Sequence, residues 1–242
     1  LNPRSAEALT LLGEMLADRF EFERVDSIAA RLRTLAKVDT VPASPEDQIV
    51  DLSPAGLSPW ADMLDARAKL RARDADSALP ILTASAERFP RMIPLLAMKA
   101  AGEAAVFDDA ASRATLATID ELSPGSPEGY FAVGRVMSDM RQYDDSIAAL
   151  REATRRAPEL SIPWIELGLV QMQAGDDTAA RAALEKAEIL DPFNVRASNS
   201  LRLVRDLAEF KTLESDHFIV RYQPGPDEAL ARHLEQPELV GR

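Results

Sequence analysis

An all-α fold, a solenoid of helix–turn–helix repeats, is what this sequence predicts, and three observations predict it. Prolines stand at Pro90, Pro124, Pro158 and Pro192, 34 residues apart each time. A fixed period of this length marks stacked units that bury their apolar faces against one another. Other positions keep the same register. Leu82, Leu116, Leu150 and Leu184 lie eight residues before the prolines; small residues lie twelve before (Ala78, Ser112, Ser146, Ala180) and twenty-four before (Ala66, Ala100, Gly134, Gly168). Finally, alanine and leucine dominate while aromatic residues make up only 5% of the chain, a mixture that favours helices.

Each repeated position has a physical role. Small residues are expected where the two helices of a repeat cross closely, and the leucine is expected to fill the space between neighbouring repeats. The proline follows the second helix and stops it. Acid precedes or opens every second helix: Asp74 and Asp76, Asp108 and Asp109, Asp144 and Asp145, Asp176 and Asp177. Carboxylates there accept from free N–H groups and favour the positive end of the helix dipole. Ser58-Pro59 and Ser126-Pro127 read as a cap followed by proline at the first helical position. Four repeats of 34 residues are thus expected over 59–194.

This pattern resembles the tetratricopeptide repeat (TPR) family. The stretch 161–194 carries that family's Trp164, Leu167, Gly168, Gly175, Ala180, Leu184, Ala187 and Pro192 in register. The repeat before it has Tyr130, Gly134, Tyr143, Ala153 and Pro158. The two before that depart from the pattern, with Asp62 and Lys99 where the family prefers large or apolar residues. A divergent repeat is expected within 1–37, where Leu9, Leu12 and Gly13 match a first helix, and its leading Leu-Asn-Pro resembles the end of another repeat. The resemblance implies a right-handed TPR-type α-solenoid. Residues 38–58, rich in Pro, Ser and Asp, read as a loop or linker. Residues 195–212 read as a capping helix that covers the last repeat with Leu201, Val204 and Leu207.

Composition narrows the function classes. The net charge of −12 opposes binding to nucleic acid and to anionic membrane surfaces. No apolar run approaches the roughly 20 residues needed to span a bilayer. Without cysteine there is no disulfide framework and no thiolate metal site, which suits the bacterial cytoplasm and the cell envelope equally. The opening LNPRSAEAL has no initiator Met and reads as a start inside a longer protein, so a missing leader carries no information.

Catalytic signatures are missing as well. No GxSxG, P-loop or GxGxxG sequence occurs. The histidines are His217 and His233, and neither forms an HExxH pair that would place two imidazoles one turn apart on zinc. No catalytic residue, metal or cofactor is therefore expected. The resemblance implies instead a protein or peptide partner in a concave groove lined by first helices. Its groove positions fall on Trp60, Met63, Arg67, Leu70 and Arg71, then on Ala97, Ala101, Ala104 and Ala105. They continue on Glu128, Phe131, Arg135, Ser138 and Asp139, and on Ile162, Ile165, Leu169, Met172 and Gln173. The Lys and Asn with which one family variant clamps the carboxylate tails of chaperones are replaced by Met63, Arg67, Met98, Glu128 and Ala132, which excludes that adaptor role.

The end of the chain reads differently. In residues 217–222 His217, Ile219 and Arg221 alternate with Phe218, Val220 and Tyr222, a β-strand pattern stopped by Pro224-Gly225-Pro226. A strand needs a partner, and the only other β-like stretch is the weak DQIVDL near residue 50. Phe210, His217, Phe218, Val220, Arg221, Tyr222, Leu230, Ala231 and Leu234 resemble the junction in bacterial proteins that join TPRs to a peptidase-MA-like metallopeptidase of the gluzincin type. The resemblance implies that 213–242 begins such a domain, although Pro237 interrupts the expected helix. Three uses stay open: a non-catalytic interaction scaffold, the recognition region of a zinc metallopeptidase, and a constitutive subunit of a larger assembly.

Overall fold

The computed structural model describes residues 5–38, 58–214, 219–225 and 227–230. Almost all of the expected linker lies outside this set, as do His217, Phe218 and His233. Among the described residues the fold is all-α apart from one hairpin. Two compact units emerge, Leu1–Pro158 and Glu159–Arg242. The first holds α1 (Ala6–Asp18), α2 (Phe22–Val38), α3 (Pro59–Arg71), α4 (Ala75–Arg88), α5 (Ile93–Ala105), α6 (Asp109–Leu122), α7 (Glu128–Asp139) and α8 (Tyr143–Arg156). The second holds α9 (Ser161–Gln173), α10 (Asp177–Leu190), α11 (Val195–Leu207), β1 (Lys211–Glu214) and β2 (Ile219–Tyr222).

Odd-numbered helices from α1 to α9 all end in the same way. Phe20, Arg73, Phe107, Arg141 and Gly175 take positive φ, 61° for the first four and 83° for the glycine. The next residue then donates its N–H back across the turn: Glu21 to Leu16, Asp74 to Lys69, Asp108 to Glu103, Gln142 to Met137 and Asp176 to Gln171, at 2.9–3.0 Å. The left-handed residue donates to the carbonyl three before it, as Arg73 does to Leu70. This paired closure satisfies carbonyls that a helix end otherwise leaves free. Asp74, Asp108 and Asp176 also cap the following helix, accepting from the backbone N–H of Ser77, Ala111 and Ala179. One residue thus finishes one helix and starts the next.

The small residues mark the crossings. A Cβ on Gly134 would lie 2.5 Å from Leu150 Cγ, and one on Gly168 would lie 2.6 Å from Leu184 Cγ. Ser146 Oγ donates to the Gly134 carbonyl at 2.7 Å and Ser112 Oγ to that of Ala100 at 2.9 Å, so these two buried hydroxyls are partnered. Leu150 and Leu184 lie against the first helix of their own repeat, Leu184 also clustering with Leu201 and Val204 of α11, while Leu82 approaches Gly102 and Leu116 approaches Gly129 of the next repeat.

Polar contacts tie helices that are distant in sequence. Arg33 on α2 bonds Asp62 and Asp65 on α3. Arg156 on α8 bonds Asp120 on α6 and the Ser126 carbonyl, and its guanidinium lies 4.2 Å from the centre of the Tyr130 ring. Half-buried Lys99 bonds the buried Glu103 and Thr115, which bond each other between α5 and α6.

Two expectations fail at the C-terminus. The helix expected over 195–212 stops at Leu207, and Lys211–Glu214 forms a strand. That strand pairs antiparallel with Ile219–Tyr222, in the register Lys211 to Tyr222 and Glu214 to Ile219. The strand read as unpartnered therefore has its partner within the chain, and the inference of a missing sheet falls. Leu213 and Val220 face each other in a half-buried pair, while Arg221 reaches Asp177 at the start of α10. A short hairpin is marginal alone, so such anchoring matters.

The turns and crossings make two predictions for urea unfolding. Arg141→Gly relieves a left-handed residue costing about 1–2 kcal/mol, partly offset by a freer unfolded chain; stability rises by about 0.5 kcal/mol. Gly134→Ala forces a methyl into Leu150 and lowers stability by about 1–3 kcal/mol, despite alanine's better helix propensity.

Candidate functional site

In the first unit, the first helices of three consecutive repeats surround a recess of about 130 Å³. α3 contributes Arg67, Leu70 and Arg71; α5 contributes Pro94, Met98 and Ala101; α7 contributes Phe131, Ala132, Arg135, Val136 and Asp139. Its origin lies in the 34-residue register. Where α3 has Met63, Arg67 and Arg71, and α7 has Phe131, Arg135 and Asp139, α5 has Ala97, Ala101 and Ala105. A helix with methyl groups at these positions leaves space that its longer neighbours reach across. Arg71 spans it, with Nη1 2.5 Å from Asp139.

Charge is concentrated at the rim. Asp18, the last residue of α1, accepts from Arg67 at 2.9 and 3.1 Å and lies 3.6 Å from Arg135 and 3.9 Å from Arg71. Arg71 also lies over the Phe20 ring at 4.8 Å, and Arg135 lies near Phe131 at 5.9 Å. The Nε–H groups of Arg67 and Arg71 are buried and meet no acceptor. An unmet buried donor costs about 1–3 kcal/mol, and such exceptions in a folded protein call for a reason. Burial alone would raise the pKa of Asp18, but the charge and hydrogen bond of Arg67, with Arg135 and Arg71 beyond it, outweigh burial and hold its carboxyl below the usual range.

The structure gathers only part of the expected groove. Arg67, Arg71, Phe131 and Arg135 converge on the recess. Trp60 is 38% exposed and does not line it. Met63 is buried in the core with Leu82, Leu95 and Leu96. In the second unit Ile165 is buried against Ala187 and Ala197, with Leu169 packed beside it. Met172 packs on Ala180, Leu184, Leu201 and Val204. Ile165 thus serves internal packing and Leu169 and Met172 are half-buried against their neighbours, while Ile162 stays 58% exposed. Asp18 is the site residue that sequence reasoning missed. It shares with Arg71 and Asp139 the place two residues before the left-handed turn, but 53 residues separate it from Arg71 and hide the register.

The position of Asp18 has a consequence for acid stability. Its folded pKa lies below the unfolded value of about 3.9, so its contribution is whole above that value and disappears as pH falls toward the folded one. Asp18→Asn therefore lowers stability at neutral pH and flattens the loss below about pH 4. Because the carboxyl is 41% exposed, the change is modest; chemical denaturation from pH 7 to pH 3 measures it.

Residues 131–195 match the family described as tetratricopeptide repeat. No curated protein matches the chain. Among solved structures, TTC0263, a thermophilic TPR protein in Thermus thermophilus, aligns at 16% identity over 84% of this chain and 100% of its own, with a TM-score of 0.53. The APC/C hetero-tetramer Cut9–Hcn1 aligns at 16% identity over 85% of this chain and 36% of that one, with a TM-score of 0.51. MamA aligns at 21% identity over 58% of this chain and 82% of its own, with a TM-score of 0.42. The first two likenesses are in fold. Tetratricopeptide repeats are thus matched over residues 131–195, and the helix–turn–helix fold of the described residues is like that of solved tetratricopeptide-repeat structures.

Proposed function

We propose that the recess between α3, α5 and α7 is where this protein holds a segment of a protein partner. Repeat arrays of this kind are interaction scaffolds whose surfaces are built by successive first helices. The observation that carries the proposal is the coincidence of a recess, an apolar wall of Met98, Phe131 and Val136, and three arginines in one place. Pockets of that composition, mostly apolar with a few placed polar groups, are the usual form of binding sites. The alanines of α5 make the space, while the remaining small residues serve helix crossings. Among the described residues no helix is long and apolar enough to cross a membrane.

Site-specific photo-crosslinking in the parent cell tests this. p-Benzoylphenylalanine at position 131, in the recess wall, gives discrete adducts with a partner. The same group at position 113, on the exposed face of α6, does not. Equal labelling from both positions, or none from 131, overturns the assignment.

A further inference from the structure

We infer that the segment held in this recess presents a side-chain carboxylate beside an apolar residue, and that Asp18 and Asp139 compete with it for the arginines. The inference rests on the docking role just proposed and adds the chemistry of the occupant. Arg67, Arg71 and Arg135 bring three positive charges, and Asp18 and Asp139 return two negative ones. One charge is left over, on a chain whose net charge is −12. A single carboxylate balances it, whereas a phosphate dianion would leave the site negative beside two carboxylates that repel it.

The donors are also in surplus. Each guanidinium offers five N–H groups. Arg67 gives hydrogen bonds to Asp18 through Nη2 alone, and the Nε–H groups of Arg67 and Arg71 have no acceptor. Arg135 approaches Asp18 only at 3.6 Å, beyond a hydrogen bond. An arriving carboxylate draws Arg71 and Arg135 onto itself in the forked geometry that guanidinium favours. Pro94, Met98 and Val136 give the neighbouring side chain an apolar seat. The internal acids hold the arginines in place until then, so the site discriminates by exchanging one carboxylate for another.

The test uses the whole chain and three acetylated, amidated tripeptides: Leu-Glu-Phe, Leu-Gln-Phe and Leu-phosphoserine-Phe. NMR follows the arginine Nε–Hε signals during titration. The glutamate peptide shifts the signals of Arg67, Arg71 and Arg135 saturably, and the glutamine peptide binds about tenfold more weakly. Asp139→Asn, which removes one competitor without touching α1, tightens the glutamate peptide roughly threefold; Asp18→Asn does the same provided that its melting curve stays cooperative. Equal binding of glutamate and glutamine peptides overturns the carboxylate assignment while a crosslink from position 131 still upholds docking. Tighter binding of the phosphoserine peptide, absence of saturable shifts, or unchanged or weaker binding to Asp139→Asn each overturns the inference.

Discussion

The close crossing of two helices within each 34-residue unit is the constraint from which the rest of this structure follows. At Gly134 and Gly168 the neighbouring leucine leaves no space for a methyl group. Ala66 and Ala100 are buried at the equivalent positions, as are Ala78 and Ala180 at the small position of the second helices. This fixes where each second helix lies against its first. The left-handed turn then fixes how the chain passes from one to the other, with one aspartate in three of the repeats serving both helix ends. Because these joints recur, side chains 34 residues apart in α3, α5 and α7 arrive side by side. Arg67, Ala101 and Arg135 become neighbours through that regularity, without any specific contact to specify them.

Regularity and recess do not coincide along the chain. The repeat closest to the family pattern, 161–194, spends Ile165 and much of Leu169 and Met172 on its own packing. The recess joins two units that depart from the pattern, where α3 carries arginines and α5 carries alanines, to α7 of a unit that keeps it. Departures from local consistency concentrate where a protein does something besides fold. Lys99 illustrates the opposite case. It too departs from the family pattern, yet it bonds Thr115 and pairs with Glu103 inside the fold, and so answers a packing need.

Most of the helical architecture was legible in the sequence because periodicity records burial, and burial is what repeats impose. The prolines, leucines and small residues all report the same crossings. What was not legible has physical causes. Lys211–Glu214 carries too few side chains of strong β preference to declare itself, and becomes a strand because Ile219–Tyr222 supplies the ladder. A single-helix pattern cannot show which groove positions of α9 its neighbours cover, and it is α10 and α11 that bury Ile165 and partly bury Met172. Asp18 was missed since its repeat stands out of the 34-residue register. Arg67, Arg71, Phe131 and Arg135 were found because the register held from α3 to α7.

The alanine face of α5 has a further implication for how such a site is controlled. A pocket that exists because side chains are short is closed by adding atoms and needs no charge removed. One substitution that enlarges Ala101 would fill the space without removing any arginine or aspartate. Occupancy and electrostatics at this site are therefore separable variables. A lineage could silence or reshape the recess by a single small-to-large step and reopen it by the reverse, with the ion pairs that join α1, α3 and α7 preserved throughout.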